Sequence, residues 1–205
     1  IDISGKELKT PVTDTSTKPA GDIDKYAFVE SRTDDDGNVT HVFRQYTTKW
    51  VDESGTELKD MVTDKDTKEH GTIQDYAYVN SETDTNGNVT HIFRQYTTKW
   101  VDEDSKELKT PVTTDSVKEH GDIPEYAYVT TNTDENGNVT HVFRQYTTEW
   151  IDEDGKELKD IVKGASPMPR GDEIKDYKFV ESKTDEKGNV KHIFKQFTTR
   201  WVNTE

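Results

Sequence analysis

Apolar and polar residues alternate with a period of two along short stretches of this chain, and the same stretches return every fifty residues. The stretch Tyr76–Thr83 is rich in strand formers and runs into Asp84, Asn86, Gly87 and Asn88. Asn-Gly between two such runs predicts a β-hairpin whose two central residues take positive φ. The predicted return strand, Val89–Asp102, is long for a single strand, about 46 Å when fully extended. Its alternation changes phase: Val89 and Phe93 point to one face, Tyr96 and Trp100 to the other. The chain is therefore expected to leave one unit's core near Phe93 and enter the next near Tyr96, with a bulge or twist between them. A second turn follows at Glu103–Lys106, then a short strand Glu107–Val112. The polar stretch after it, ending at Gly121, Ile123 and Tyr126, fits either a loop or one helical turn. No segment sustains a period of 3.6, so the fold class is all-β or nearly so.

The string from Gly37 to Trp50 returns at Gly87–Trp100, at Gly137–Trp150 and, more loosely, at Gly188–Trp201. This places four tandem units at residues 1–50, 51–100, 101–150 and 151–205, the last including the start of another junction. The seven Phe, nine Tyr and four Trp all fall at five repeat positions, which in the second unit are Tyr76, Tyr78, Phe93, Tyr96 and Trp100. The aromatics thus belong to the fold of the unit. Ile1 aligns with Val51, so the first unit reads as lacking the preceding Trp and its strand, and the chain as a piece of a longer array. Fifty residues bury little apolar surface alone. An elongated rod is expected, its small β-units linked by a shared long strand and each touching only its neighbours. Such a strand would add roughly 35–45 Å per unit.

Composition sharpens this picture. Apolar residues are only 29% and the net charge is −15, a balance that favours disorder. Twenty aromatics placed at repeat positions argue instead for an ordered chain with a thin core. The acidic surface argues against nucleic acid, which requires a basic footprint, and against docking on anionic membranes. No apolar run is long enough to insert in a bilayer, and a monomer is expected. With no cysteine there are no disulfides and no thiolate metal sites.

Candidate chemistry is sparse. The Asp-rich turns at 34–38, 84–88 and 134–138 place Gly too early for a twelve-residue calcium loop. One strand His per unit (His41, His91, His141, His192) falls short of a zinc site. A catalytic reading would pair His91 with Ser81 or an Asp, without a nucleophile elbow or oxyanion loop. No enzyme, cofactor or metal is therefore expected. The ligand-binding candidates are Arg44, Tyr46 and Trp50, with Arg94, Tyr96, Trp100, Arg144, Tyr146 and Trp150. Arginine beside aromatics could stack a sugar ring or hold a carboxylate; equally, it could cover the aromatic core at the junction.

The opening Trp50, Asp52, Gly55, Glu57 and Leu58, the middle Gly71, Ile73 and Tyr76, and the closing run Gly87–Phe93 resemble the tandem repeats of streptococcal surface proteins, whose period is about fifty-one residues. They are more distantly similar to the mucin-binding (MucBP-type) repeats of Gram-positive bacteria, though shorter between Leu58 and Tyr76. The resemblance covers the whole chain. It implies β-grasp-like or small sandwich-like units in an extracellular, wall-attached adhesin of a Gram-positive cell. The segment would be a stalk projecting a ligand-binding domain, or a multivalent module holding host glycans or glycoproteins such as mucin.

Overall fold

The computed structural model describes residues 1–203. Strands β1 (Ala27–Thr33), β2 (Val39–Arg44), β3 (Tyr46–Asp52), β4 (Glu57–Asp64), β5 (Ala77–Thr83) and β6 (Val89–Arg94) are followed by two further sets of the same kind. The third set is β7 (Tyr96–Asp102), β8 (Glu107–Thr114), β9 (Ala127–Thr133) and β10 (Val139–Arg144). The fourth is β11 (Tyr146–Asp152), β12 (Glu157–Gly164), β13 (Lys178–Thr184) and β14 (Val190–Lys195). There is no helix among the described residues, so none is long and apolar enough to cross a membrane. The chain divides into two compact units, residues 1–95 with 114–116, and residues 96–113 with 117–205.

Each repeat after the first is one open four-stranded sheet, ordered β4-β3-β6-β5 in the second repeat. The sheet is mixed: β3 runs antiparallel to β4 and parallel to β6, and β6 runs antiparallel to β5. The order and the parallel central pair are those of the grasp-like expectation, with the polar stretch between β4 and β5 in place of a helix; no second sheet packs on this one among the described residues, so the sandwich-like alternative is set aside. The expected continuous strand is interrupted as well. Gln45 separates β2 from β3, and Gln145 separates β10 from β11, so the two halves join different sheets. The side-chain phase change falls where it was expected, with Phe93 buried on β6 and Thr98 and Trp100 buried on β7. The sheet of the second repeat begins at Tyr46, so a boundary drawn before Val51 falls inside β3.

What covers the sheet is the polar stretch between β4 and β5. It forms a loop that is pinned by its own backbone. Lys68 N–H donates to Thr48 Oγ1 at 2.9 Å, and Trp50 Nε1–H donates to the His70 carbonyl at 2.8 Å. His91 Nε2 lies 2.8 Å from the Lys68 carbonyl, which can only accept, so that nitrogen carries the proton. The three anchoring side chains, Thr48, Trp50 and His91, are all buried. Buried polar groups must be paired, and here the pairing doubles as the attachment of the strap. The same bonds recur at Thr98, Trp100 and His141, and at Thr148, Trp150 and His192.

Both turns share one geometry. Gly87 N–H donates to the Asp84 carbonyl and Asp84 N–H to the Asn88 carbonyl, while Gly87 sits at φ +80° and Asn86 is not left-handed. This is a type I turn closed by a glycine bulge, so only one residue takes the positive φ expected of two. Asp84 Oδ1 accepts the amides of Asn86 and Asn88, which stabilises the turn from within.

Candidate functional site

The nine candidate side chains lie around the joints between repeats, and most are used by the fold itself. Trp50, Trp100 and Trp150 are buried, at 1%, 1% and 5% exposure. Each donates its indole N–H to a strap carbonyl, and Lys59, Lys109 or Lys159 covers a ring face at 4.4, 4.4 and 5.7 Å. None of the three can offer its face to a sugar. Burying one such ring removes about 200 Å² from water, or roughly 5 kcal/mol as an upper estimate. In a chain only 29% apolar this makes Trp the centre of the core.

The tyrosines seat on turn glycines. A Cβ on Gly87 would lie 2.8 Å from the Tyr46 ring, and Gly137 and Gly188 meet Tyr96 and Tyr146 in the same way. The neighbouring backbone is tied too: Thr47 N–H donates to Asn88 Oδ1 at 2.9 Å, with matching bonds from Thr97 to Asn138 and from Thr147 to Asn189. Asn88 therefore holds its own turn through its amide and strand β3 through its oxygen.

Arg94 and Arg144 each meet a glutamate. Arg94 Nε donates to Glu53 at 2.7 Å and its Nη2 donates to the second carboxylate oxygen; Arg144 does the same with Glu103. Hydrogen bonding from the guanidinium holds both carboxyls below their usual range, and Glu103 in turn raises Arg144. Lys195 faces Glu153 at the equivalent place. Arg44 differs, because residue 3 is Ile. Its guanidinium lies 4.7 Å over the Tyr46 ring and its Nη2 donates to the Asn86 carbonyl. Arg144 also reaches forward, its Nη1 donating to the Lys187 carbonyl at 3.2 Å. The groove beside it, about 330 Å³, is lined by Asp102, Lys106, Lys163 and Lys187 among others, so charge dominates it and not an aromatic face.

The strand histidines are pinned on both sides. His91 Nδ1 accepts from Ser81 Oγ at 2.6 Å, and Tyr78 Oη lies 2.8 Å from that hydroxyl. Equivalent pairs are His41 with Ser31, His141 with Thr131 and His192 with Ser182. His91 is only 5% exposed and packs at 5.7 Å on Trp50. Its Nε2 proton is committed to a carbonyl, so the pair is a brace for the strap.

Sequence reasoning missed two groups: the glutamates after the turn aspartates, and the asparagines after the turn glycines. A signal existed in the fixed spacing of Glu53 from Arg94, which repeats at Glu103 and Arg144.

With this geometry in place, the matches to known families can be read. The model of the SSSPR-51 domain matches four times, over residues 1–45, 46–95, 96–145 and 146–196. The matches cover nearly the whole chain, which belongs to the SSSPR-51 domain family. No curated protein matches it.

Proposed function

We propose that these four SSSPR-51 domains form a stalk segment of a Gram-positive, wall-anchored surface adhesin, holding a binding domain away from the cell. The observation that carries this reading is how the joint residues are used. Trp50 and its counterparts are buried, the tyrosines seat on turn glycines, and Arg94 and Arg144 are closed by glutamates. Repetition of one solution supports a spacing role, in which the number of repeats matters more than any one of them. The Ser–His pairs support it as well, since they brace the strap and the segment acts without catalysis, cofactor or metal. Its place is extracellular, and a surface of net charge −15 suits a monomer kept apart from like neighbours.

A second reading has its own observation. Phe28, Tyr78 and Tyr128 occupy the same repeat position and are 51%, 42% and 43% exposed. Weak sites repeated in register would gain strength by multivalency, with host glycans or glycoproteins such as mucin as partners. One experiment separates the two readings: the folded chain is passed over immobilised mucin and a panel of host glycans. The stalk reading expects no retention. Retention that disappears when Phe28, Tyr78 and Tyr128 become Ser would replace it with the adhesive one.

A further inference from the structure

We infer that Arg44 is a carboxylate-binding site: among the described residues it is the one joint arginine that meets no carboxylate of its own. The four repeats provide an internal control. In the second and third, the turn residue after the aspartate is glutamate, and the arginine presents Nε and Nη2 to it as a fork. A planar guanidinium matches a carboxylate through two parallel bonds, which gives strength and direction together. In the first repeat the backbone frame is preserved. Asp2 N–H donates to the Lys6 carbonyl as Asp52 does to Thr56, and Asp2 bridges Phe43 in parallel as Asp52 pairs with Phe93. Only the side chain has changed, to Ile3, which is 60% exposed and brings no acceptor.

The consequence is visible at Arg44. Its Nε is shielded from solvent and makes no hydrogen bond, the single such side-chain atom among the described residues. A shielded N–H without an acceptor is costly because it has lost water and gained nothing. Its Nη2 has turned to the Asn86 carbonyl, a single neutral acceptor. Once the guanidinium swings away from the Asn86 carbonyl to the position Arg94 takes, a carboxylate in the place that glutamate fills elsewhere would satisfy Nε and Nη2 at once. The Tyr46 ring beneath the guanidinium gives the carrier of that carboxylate a flat surface to lie against. Asp84 also feels the charge of Arg44, but its oxygens are taken by Asn86 and Asn88. The net negative charge of the chain opposes anions only at long range, and salt screens that repulsion within about 10 Å.

The ligand class is therefore a carboxylate carried by an acidic sugar or by an acidic protein side chain. Two probes separate these sources: glucuronate, with glucose as its uncharged match, and N-acetyl-glutamate amide, with the glutamine equivalent. The readout is the ¹⁵N–¹H resonance of each arginine Nε in the full chain. A saturable shift at Arg44 with either acid, absent with its neutral match and absent at Arg94 and Arg144, is the expected result. Which acid gives it identifies the source. The variant Ile3→Glu, an exposed turn substitution, should place an internal carboxylate in the site and abolish the shift. No shift with either acid, equal shifts at all three arginines, or a shift that persists in Ile3→Glu would overturn the proposal.

Discussion

The first and second repeats are alike in sequence and unlike in structure. Residues 7–14 read Glu-Leu-Lys-Thr-Pro-Val-Thr-Asp, close to the Glu57–Asp64 run of β4, yet they form no strand. The difference lies in what they have to pair with. β4 is hydrogen-bonded to β3, whereas residues 7–14 pair with no strand among the described residues. The hairpin β1–β2 forms in spite of this, with the same bulge that interrupts β5–β6. The local signals of a hairpin thus act on their own, whereas the outer strand depends on a neighbour and on the Trp it helps to cover. Val12 shows the result: at 72% exposure it faces water, where Val62 of β4 is only half-buried.

The comparison can be broken by making the second repeat resemble the first. A chain beginning at Val51 lacks most of β3, so β4 should be lost and the amides of residues 57–64 should exchange as freely as those of residues 7–14. A chain beginning at Tyr46 should keep them protected. Hydrogen exchange on the two truncations measures this, and equal protection would show that β4 stands alone. Trp50→Ala removes the buried ring and leaves the strands in sequence. It should cost about 3–5 kcal/mol in the second repeat, read by denaturant unfolding, while leaving protection of β1 and β2 unaltered.

The turn glycines sharpen the same contrast at lower cost. Gly37 and Gly87 both sit at φ +80°, but nothing lies within 4 Å of a Cβ on Gly37, whereas one on Gly87 would strike Tyr46. Gly37→Ala should therefore cost about 1 kcal/mol, the left-handed penalty alone. Gly87→Ala adds displacement of the ring and should cost about 2–3 kcal/mol in chemical denaturation. Acid should act on both repeats alike and most gently. Hydrogen bonds, first from the Asn38 and Asn88 side chains, hold Asp34 and Asp84 below the usual aspartate range. Their contribution is complete above that range and is lost as pH falls through the lowered folded-state values. The thermal midpoint should fall in that acid window, and Asp34→Asn or Asp84→Asn should each flatten the fall by a similar amount.

Much of this was readable in the residues. The fifty-residue period, the turn at Asn86–Gly87 and the change of face between Phe93 and Tyr96 all arise from local chemistry, which a sequence displays directly. The parallel pairing of β3 with β6 was not readable, because its register joins Thr48 to Val89 across a long connection. Nor was the strap, whose Thr, Asp and Lys side chains fit a loop or one helical turn equally well. Its work is done by backbone carbonyls and amides, which carry no residue identity. The candidate site was half legible for a related reason. Arg, Tyr and Trp lie near the joints, but a ligand platform and a buried core place the same residues on a strand. The partner that decides between them, such as Glu53 for Arg94, lies forty-one residues away.

The parallel alignment of β3 and β6 also sets how a repeat would bear load. The repeat 46–95 enters through the first residue of β3 and leaves after the last residue of β6. Tension applied to its two ends pulls these neighbouring strands past each other along their length. The hydrogen bonds from Thr48–Val89 to Asp52–Phe93 then lie across the pull and must yield together. In an antiparallel hairpin opened from its ends they would break singly, in succession. Each four-stranded domain is therefore built to resist stretching in shear, and a run of such domains would fail one whole domain at a time.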